Sequence, residues 1–125
     1  MEGQRPCKSC AQLVADLRSA LAPVLPNGPS LVACDILTAV ALAENAGMPL
    51  TMKQLLAGLP YSATGVRYNL ATLLEEGWIY KESSGSDRRL VHLRTSARLE
   101  KALGQTKANL LAVMAANQPL LADDP

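Results

Sequence analysis

Phenylalanine is absent from this chain of 125 residues, and aromatic residues make up only 3% of it. That stock is poor material for a sheet sandwich or barrel, whose strands draw on aromatic and β-branched side chains. Helices packed through leucine and alanine are the alternative it favours. Nowhere is there a run of the ~18 continuous apolar residues that a membrane-spanning helix needs. The opening MEGQRPCKSC lacks the apolar centre of a secretion signal. Three unevenly spaced cysteines do not make a disulfide framework. A soluble cytoplasmic protein is the expectation.

An excess of charge of one sign is also missing. Twelve basic against eleven acidic residues leave a formal net charge of +1. Any affinity for nucleic acid must therefore come from local placement of charge. Enzyme signatures are missing as well. There is no nucleophile–base pair, no glycine-rich phosphate loop after a strand and no metal-ligand cluster on a helix. Glu75 and Glu76 adjoin but point to different sides of a helix. The expectation is a non-enzyme without a cofactor.

What remains is 49% apolar, enough for a core, at a length that suits a single domain over residues 1–125. Residues 1–8 have no apolar period and read as a loose arm. Residues 9–22 read as a helix opened by a Ser9–Gln12 capping box. Its apolar face is Cys10, Leu13, Val14, Leu17, Ala20 and Leu21. Pro23 and Pro26 end it, and Pro26 to Pro29 is turn or linker. Ser30 caps a helix running to Gly47 that is apolar almost all round, as expected of a central, buried support.

The stretch from Thr51 to Thr95 is the most informative. Thr51 and Gln54 match a capping box, and Leu50 and Leu55 match a hydrophobic staple. That short helix stops at Gly58, Pro60 and Tyr61 turn the chain, and Ser62 caps a second helix ending at Gly77. Ala63, Val66, Leu70, Leu73 and Leu74 share its apolar stripe, leaving Thr64, Arg67, Tyr68, Ala71, Thr72 and Glu75 outward. Trp78 to Glu82 and Arg89 to Arg94 read as strands around a Ser83–Ser86 turn. Thr95 or Ser96 caps a last helix over 96–117, with Leu99, Ala102, Leu103, Leu110, Val113 and Met114 apolar and Thr106 interrupting.

Helix, turn, helix and hairpin in that order describe a winged helix-turn-helix. The predicted class is mainly α with a small β-hairpin wing (α+β): a core over 30–95 with flanking N- and C-terminal dimerisation helices. A helix fits the major groove and reads bases near its N-terminus. The recognition helix is then about 62–77 and the wing 83–89, on the backbone or in the minor groove. Candidate DNA-binding residues are Ser62, Thr64, Gly65, Arg67, Tyr68, Thr72, Ser84, Ser86, Arg88 and Arg89. Arg67 can offer paired donors to guanine or grip phosphate, and the free N–H groups at the helix start suit phosphate. Gly65 leaves room for close approach, at a cost of about 1 kcal/mol in helix propensity. Asp87 suits an orienting role toward a wing arginine.

The segment YSATGVRYNLATLLEEGWIYKE followed by SDRRLVHLRTSARLEK resembles the MarR-type winged-helix transcriptional regulators. Leu73, Gly77, Trp78 and Ile79 match that family's Leu-x-x-x-Gly pattern with two apolar residues after it. Asp87 and Arg89 match its wing Asp-x-Arg. The family's Leu-Thr-x-x-Gly departs here to Leu93-Arg94-Thr95-Ser96-Ala97, and Gly65 stands where threonine is common. The resemblance, covering about Ser30 to Leu110, implies a regulator of transcription that binds double-stranded DNA as a homodimer, with an unknown small-molecule effector possible. Leu13, Leu17, Leu21, Leu103, Leu110 and Met114 are the expected dimerisation residues.

Two alternatives stand beside this reading. A helix–helix–hairpin unit also serves as a protein-interaction module without DNA affinity. Cys7 and Cys10 form a CxxC near Arg5 and Lys8, which suits a thiol-based redox sensor. Cys10 lies on the apolar face of its helix, and plain packing as a small hydrophobe is the favoured reading. Zinc would need Cys34 and His92 brought to the same place, so no metal is expected.

Overall fold

A computed structural model describes residues 4–26, 30–84 and 87–118, and the side chains over 10–26, 30–83 and 89–118. The elements are α1 (Gln4–Ala20), a 3-10 turn (Ala22–Val24), α2 (Leu31–Asn45), α3 (Met52–Gly58), α4 (Ala63–Glu75), β1 (Ile79–Ser84), β2 (Asp87–Thr95) and α5 (Ala97–Ala116). The chain divides into two compact units, one of residues 24–102 and one joining 1–23 with 103–125. Among the described residues no helix is long and apolar enough to cross a membrane.

The central unit is built around α2. Ser30 caps it by accepting from the Val32 N–H at 3.3 Å. Its end is a full Schellman closure: Gly47 N–H donates to Glu44 and Met48 N–H to Ala43, both at 2.9 Å. Gly47 takes φ +76°, a conformation that side-chain-bearing residues disfavour. Ala33, Cys34, Ile36, Leu37, Val40 and Ala41 are buried, which explains why so little of this helix is polar.

Packed with α2 are α3, α4 and β2, while β1 meets α4. Leu55 of α3, Val66, Leu70 and Leu73 of α4, Ile79 of β1, Leu93 of β2 and Leu99 of α5 complete the core, each at most 1% exposed. Fully burying an aliphatic side chain of this size stabilises by about 1.5–3 kcal/mol. β1 and β2 pair antiparallel, Ile79 opposite Thr95 and Glu82 opposite His92, with a register shift between Ser83 and Ser84. Leu93 also donates its N–H to the Leu50 carbonyl at 2.8 Å, fastening β2 to the start of α3.

The other unit contains α1 and the later part of α5. Asn109 Nδ2 donates to the Ala20 carbonyl at 3.3 Å, and Asn117 Nδ2 to Asp16 Oδ2 at 3.4 Å. Ala20 and Thr106 are buried, and Leu13, Leu21, Leu103 and Leu110 are half-buried. Val14, Leu17, Leu111 and Met114 stay 36–65% exposed, so both helices keep apolar surface in solvent.

Several expectations need correction. The loose arm over 1–8 does not hold from Gln4 onward, because α1 starts there. Pro6 is compatible with a first turn, where a backbone N–H has no partner within the helix anyway. Ser9 therefore lies inside the helix and not at its start, and Gln12 donates to Asp16 Oδ1 at 2.7 Å. That helix also ends at Ala20, with Pro23 accommodated in the 3-10 turn. Both strands are longer than expected, reaching Ser84 and Asp87, which pair with each other beyond the register shift that follows Ser83. Trp78 precedes β1, and its N–H closes α4 on the Leu73 carbonyl at 3.0 Å.

Candidate nucleic-acid interface

The interface begins with the two helix starts, whose signals are local. At α3, Gln54 N–H donates to Thr51 Oγ1 at 3.2 Å, and Thr51 N–H to Gln54 Oε1 at 2.9 Å, so the capping box is complete. At α4, Gly65 N–H donates to Ser62 Oγ at 3.1 Å. The Ser62 hydroxyl is thereby engaged in capping. A Cβ at position 65 would stand 3.1 Å from that same oxygen. Gly65 thus leaves room for the cap as well as for any ligand.

The turn joining α3 to α4 is held from behind. The Tyr61 hydroxyl donates to Asp35 Oδ2 on α2. That bond, then burial and the Asp35 charge, push the phenol above its ordinary pKa. With the turn fixed at Tyr61 and the back of α4 buried through Val66, Leu70 and Leu73, the orientation of the outer face follows.

Thr64, Arg67 and Tyr68 are all exposed on that face, Tyr68 at 74%. Ser62 is exposed, and Gly65 and Thr72 are half-buried. Thr72 Oγ1 back-bonds weakly to the Tyr68 carbonyl at 3.4 Å, and Asn69 Nδ2 donates to the Gly65 carbonyl at 2.9 Å. Ala63, the first residue of α4, departs from the expected stripe and is exposed. Glu75, also exposed, sits at the other end of the helix. On the wing, Arg89 is exposed. Ser86 lies outside the described residues, as do the side chains of Ser84, Asp87 and Arg88.

Two arrangements at the base of the hairpin were not legible from sequence. Glu44, in the last turn of α2, accepts from Arg94 Nε at 2.7 Å and from the Thr95 N–H at 3.0 Å on one oxygen. Its other oxygen accepts from the Thr95 hydroxyl. Burial pushes this carboxyl up, but the Thr95 hydroxyl, Arg94 and the Thr95 amide outweigh it, and the net pKa lies below the usual glutamate value. Arg94 Nη1 reaches on to Glu82 Oε1 at 2.6 Å. Nearby, the Arg98 guanidinium lies 4.1 Å from the Trp78 ring centroid, and Ser96 caps α5 through the Leu99 N–H at 3.1 Å. The signal for the first arrangement was Arg94 itself, standing where the resembling pattern has threonine.

The cysteines divide by environment. Cys10 is exposed and Cys34 buried, while the side chain of Cys7 lies outside the described residues. Burial is the main cause that raises the Cys34 thiol pKa, against a lowering by Thr38. Among the described residues no group of three or more histidine, cysteine or acidic side chains is placed to hold a metal ion.

A capped two-helix turn, a buried support helix behind it and an antiparallel hairpin after it define the winged helix-turn-helix class. Residues 27–90, just over half of the chain, match the family model described as the MarR family. The chain belongs to the MarR family, whose fold is that of transcriptional regulators. Its structure is similar to transcriptional regulator Tm0710 from Thermotoga maritima, at 15% identity and a TM-score of 0.61, covering 89% of this chain and 74% of that one. It is also similar to a MarR-like transcription regulator from Bacillus cereus ATCC 10987, at 12% identity and a TM-score of 0.54, covering 95% and 84%. At those identities the likeness concerns the fold. No curated protein matches by sequence.

Proposed function

We propose that this protein is a sequence-specific regulator that binds duplex DNA as a homodimer. The helix over about 62–77 occupies the major groove, and the wing over 83–89 contacts the backbone or the minor groove. One observation carries the reading: Thr64, Arg67 and Tyr68 are exposed on one side of α4 while Val66, Leu70 and Leu73 are buried on the other. A helix held by its back, with a polar and cationic outer face near its N-terminus, has the layout of a groove reader. Arg67 takes the base-edge or phosphate role, and Thr64 a hydrogen-bond or methyl contact. Ser62, Gly65, Tyr68 and Thr72 border it. Ser84, Ser86, Arg88 and Arg89 form the wing contact.

The homodimer is supported by the apolar surface left on α1 and α5. Val14 at 65%, Leu111 at 56% and Met114 at 50% exposure leave apolar side chains on both helices for a second copy to cover. Leu13, Leu17, Leu21, Leu103 and Leu110 complete the proposed pairing surface. A two-fold pair would set two recognition helices on successive turns of a palindromic site.

The test is a mobility-shift titration against mixed-sequence duplex at several salt concentrations. Binding should weaken with a clear negative salt slope, reduced by about two when Arg88→Ala and Arg89→Ala each remove a phosphate contact. Failure to bind any duplex at low salt overturns the DNA reading in favour of a protein-interaction module.

A further inference from the structure

We propose that Glu44 is a positioning residue for the wing, acting on DNA affinity through Arg94 and Thr95 without touching DNA itself. The inference rests on the DNA-binding reading above and adds a residue to it.

One carboxylate takes three of the hydrogen bonds at the base of the hairpin. Glu44 takes the Arg94 Nε and the Thr95 N–H on one oxygen and the Thr95 hydroxyl on the other. Arg94 carries the link across to β1 through Glu82. Both strands are thus tied to α2, the helix on whose other contacts α4 also depends. The ties are charge-assisted and partly screened: the side chains of Arg94 and Glu44 are 31% and 23% exposed. Thr95 is buried, so its N–H would be left without its partner if Glu44 were lost, while its hydroxyl could still turn to Glu100 Oε1, 3.1 Å away on α5.

Leverage turns this local clasp into a contribution to binding. Arg89 stands six residues before Thr95 on the same strand, which at a rise of ~3.3 Å per residue puts it at most roughly 20 Å from the clasp, the register shift beyond Val91 shortening that span. A tilt of about 10° at the base then moves Arg89 by up to roughly 3 Å, further than a hydrogen bond to phosphate can stretch. Other restraints flank the clasp, with Leu93 bonded to Leu50 on one side and Ser96 to Trp78 on the other. None of these links Arg94 to α2. Arg94 has a carboxylate partner on either side, Glu44 of α2 and Glu82 of β1.

The experiment compares Glu44→Gln in two backgrounds, the parent protein and the Arg88→Ala/Arg89→Ala variant. Affinity for a duplex that the parent binds should fall about fivefold to tenfold in the first and less than about twofold in the second, the signature of coupling. Arg94→Lys, which keeps the charge and loses the geometry, should behave alike. An equal loss in both backgrounds, or none in the parent, overturns the proposal, since Glu44 would not then act through the wing. A second readout needs no DNA. In the free protein, Glu44→Gln should speed amide hydrogen exchange across the β1–β2 ladder by about tenfold relative to α2. Unchanged ladder exchange overturns the clasp. A parent that binds no duplex overturns the function proposed for the whole chain, and the exchange result then stands alone on whether Glu44 holds the hairpin.

Discussion

Glu44 and Arg94 are separated by 50 residues in sequence and by 2.7 Å in space, joining the last turn of α2 to the end of β2. Around that contact lies a pH dependence whose direction can be worked out. The folded Glu44 carboxyl titrates below its ordinary value. It therefore stabilises the fold above the unfolded glutamate pKa of about 4.3 and loses that contribution as pH falls through the folded value. Denaturant titrations of the parent and Glu44→Gln should differ at neutral pH and converge in acid. A gap that stays constant from neutral pH into acid would contradict the assignment.

Core and surface of α4 should separate cleanly. Leu70 is fully buried, and Leu70→Ala should cost about 2–5 kcal/mol by urea denaturation. Ser62→Ala removes an N-cap and should cost about 0.5–2 kcal/mol. Tyr68→Ala, at an exposed position, should change stability by no more than about 0.5 kcal/mol while weakening DNA binding. A large stability loss at Tyr68 would mean that this face is covered within the protein.

These contrasts show what sequence alone could establish. Ser30, the Thr51–Gln54 box, Ser62, Gly47 and Gly77 were legible because each acts on backbone groups within a few residues. The outer face of α4 was legible because a helix repeats its faces every few residues. The clasp at Glu44 was not, nor was the Tyr61–Asp35 bond, whose partners lie 26 residues apart. Such pairs depend on how elements pack, which no local pattern records. The start of α1 was missed for a different reason: residues from Gln4 to Lys8 have weak apolar periodicity and a proline, yet a first turn tolerates both. At Gly65 the sequence suggests only space for DNA, while the nearest neighbour in the fold is the Ser62 cap.

Pairing of two copies predicts a charge-sensitive apolar surface. Leu17→Glu combined with Met114→Glu should give a monomer mass by light scattering at micromolar concentration, against a dimer for the parent. Both residues are exposed, so the variant should keep its fold. A monomeric parent would contradict the dimer.

Thiol chemistry should follow burial. In a Cys7→Ser background, iodoacetamide should label Cys10 quickly at neutral pH. Cys34 should react only on unfolding, since burial both shields it and raises its pKa, leaving less thiolate. Equal labelling of the two in the native protein would contradict their placement. For the redox reading, DNA affinity should change on adding reductant and the change should vanish in Cys7→Ser. Unchanged affinity throughout would remove it.

The most direct test of the whole account is selection of DNA from a random duplex pool. A homodimer reading through Arg67 and Thr64 should enrich a palindrome whose half-sites are centred about 10 bp, one helical turn, apart. Arg67→Ala should relax the choice at one position in each half. Retained DNA with no common sequence, or no DNA retained at low salt, would contradict sequence-specific regulation by this face of α4.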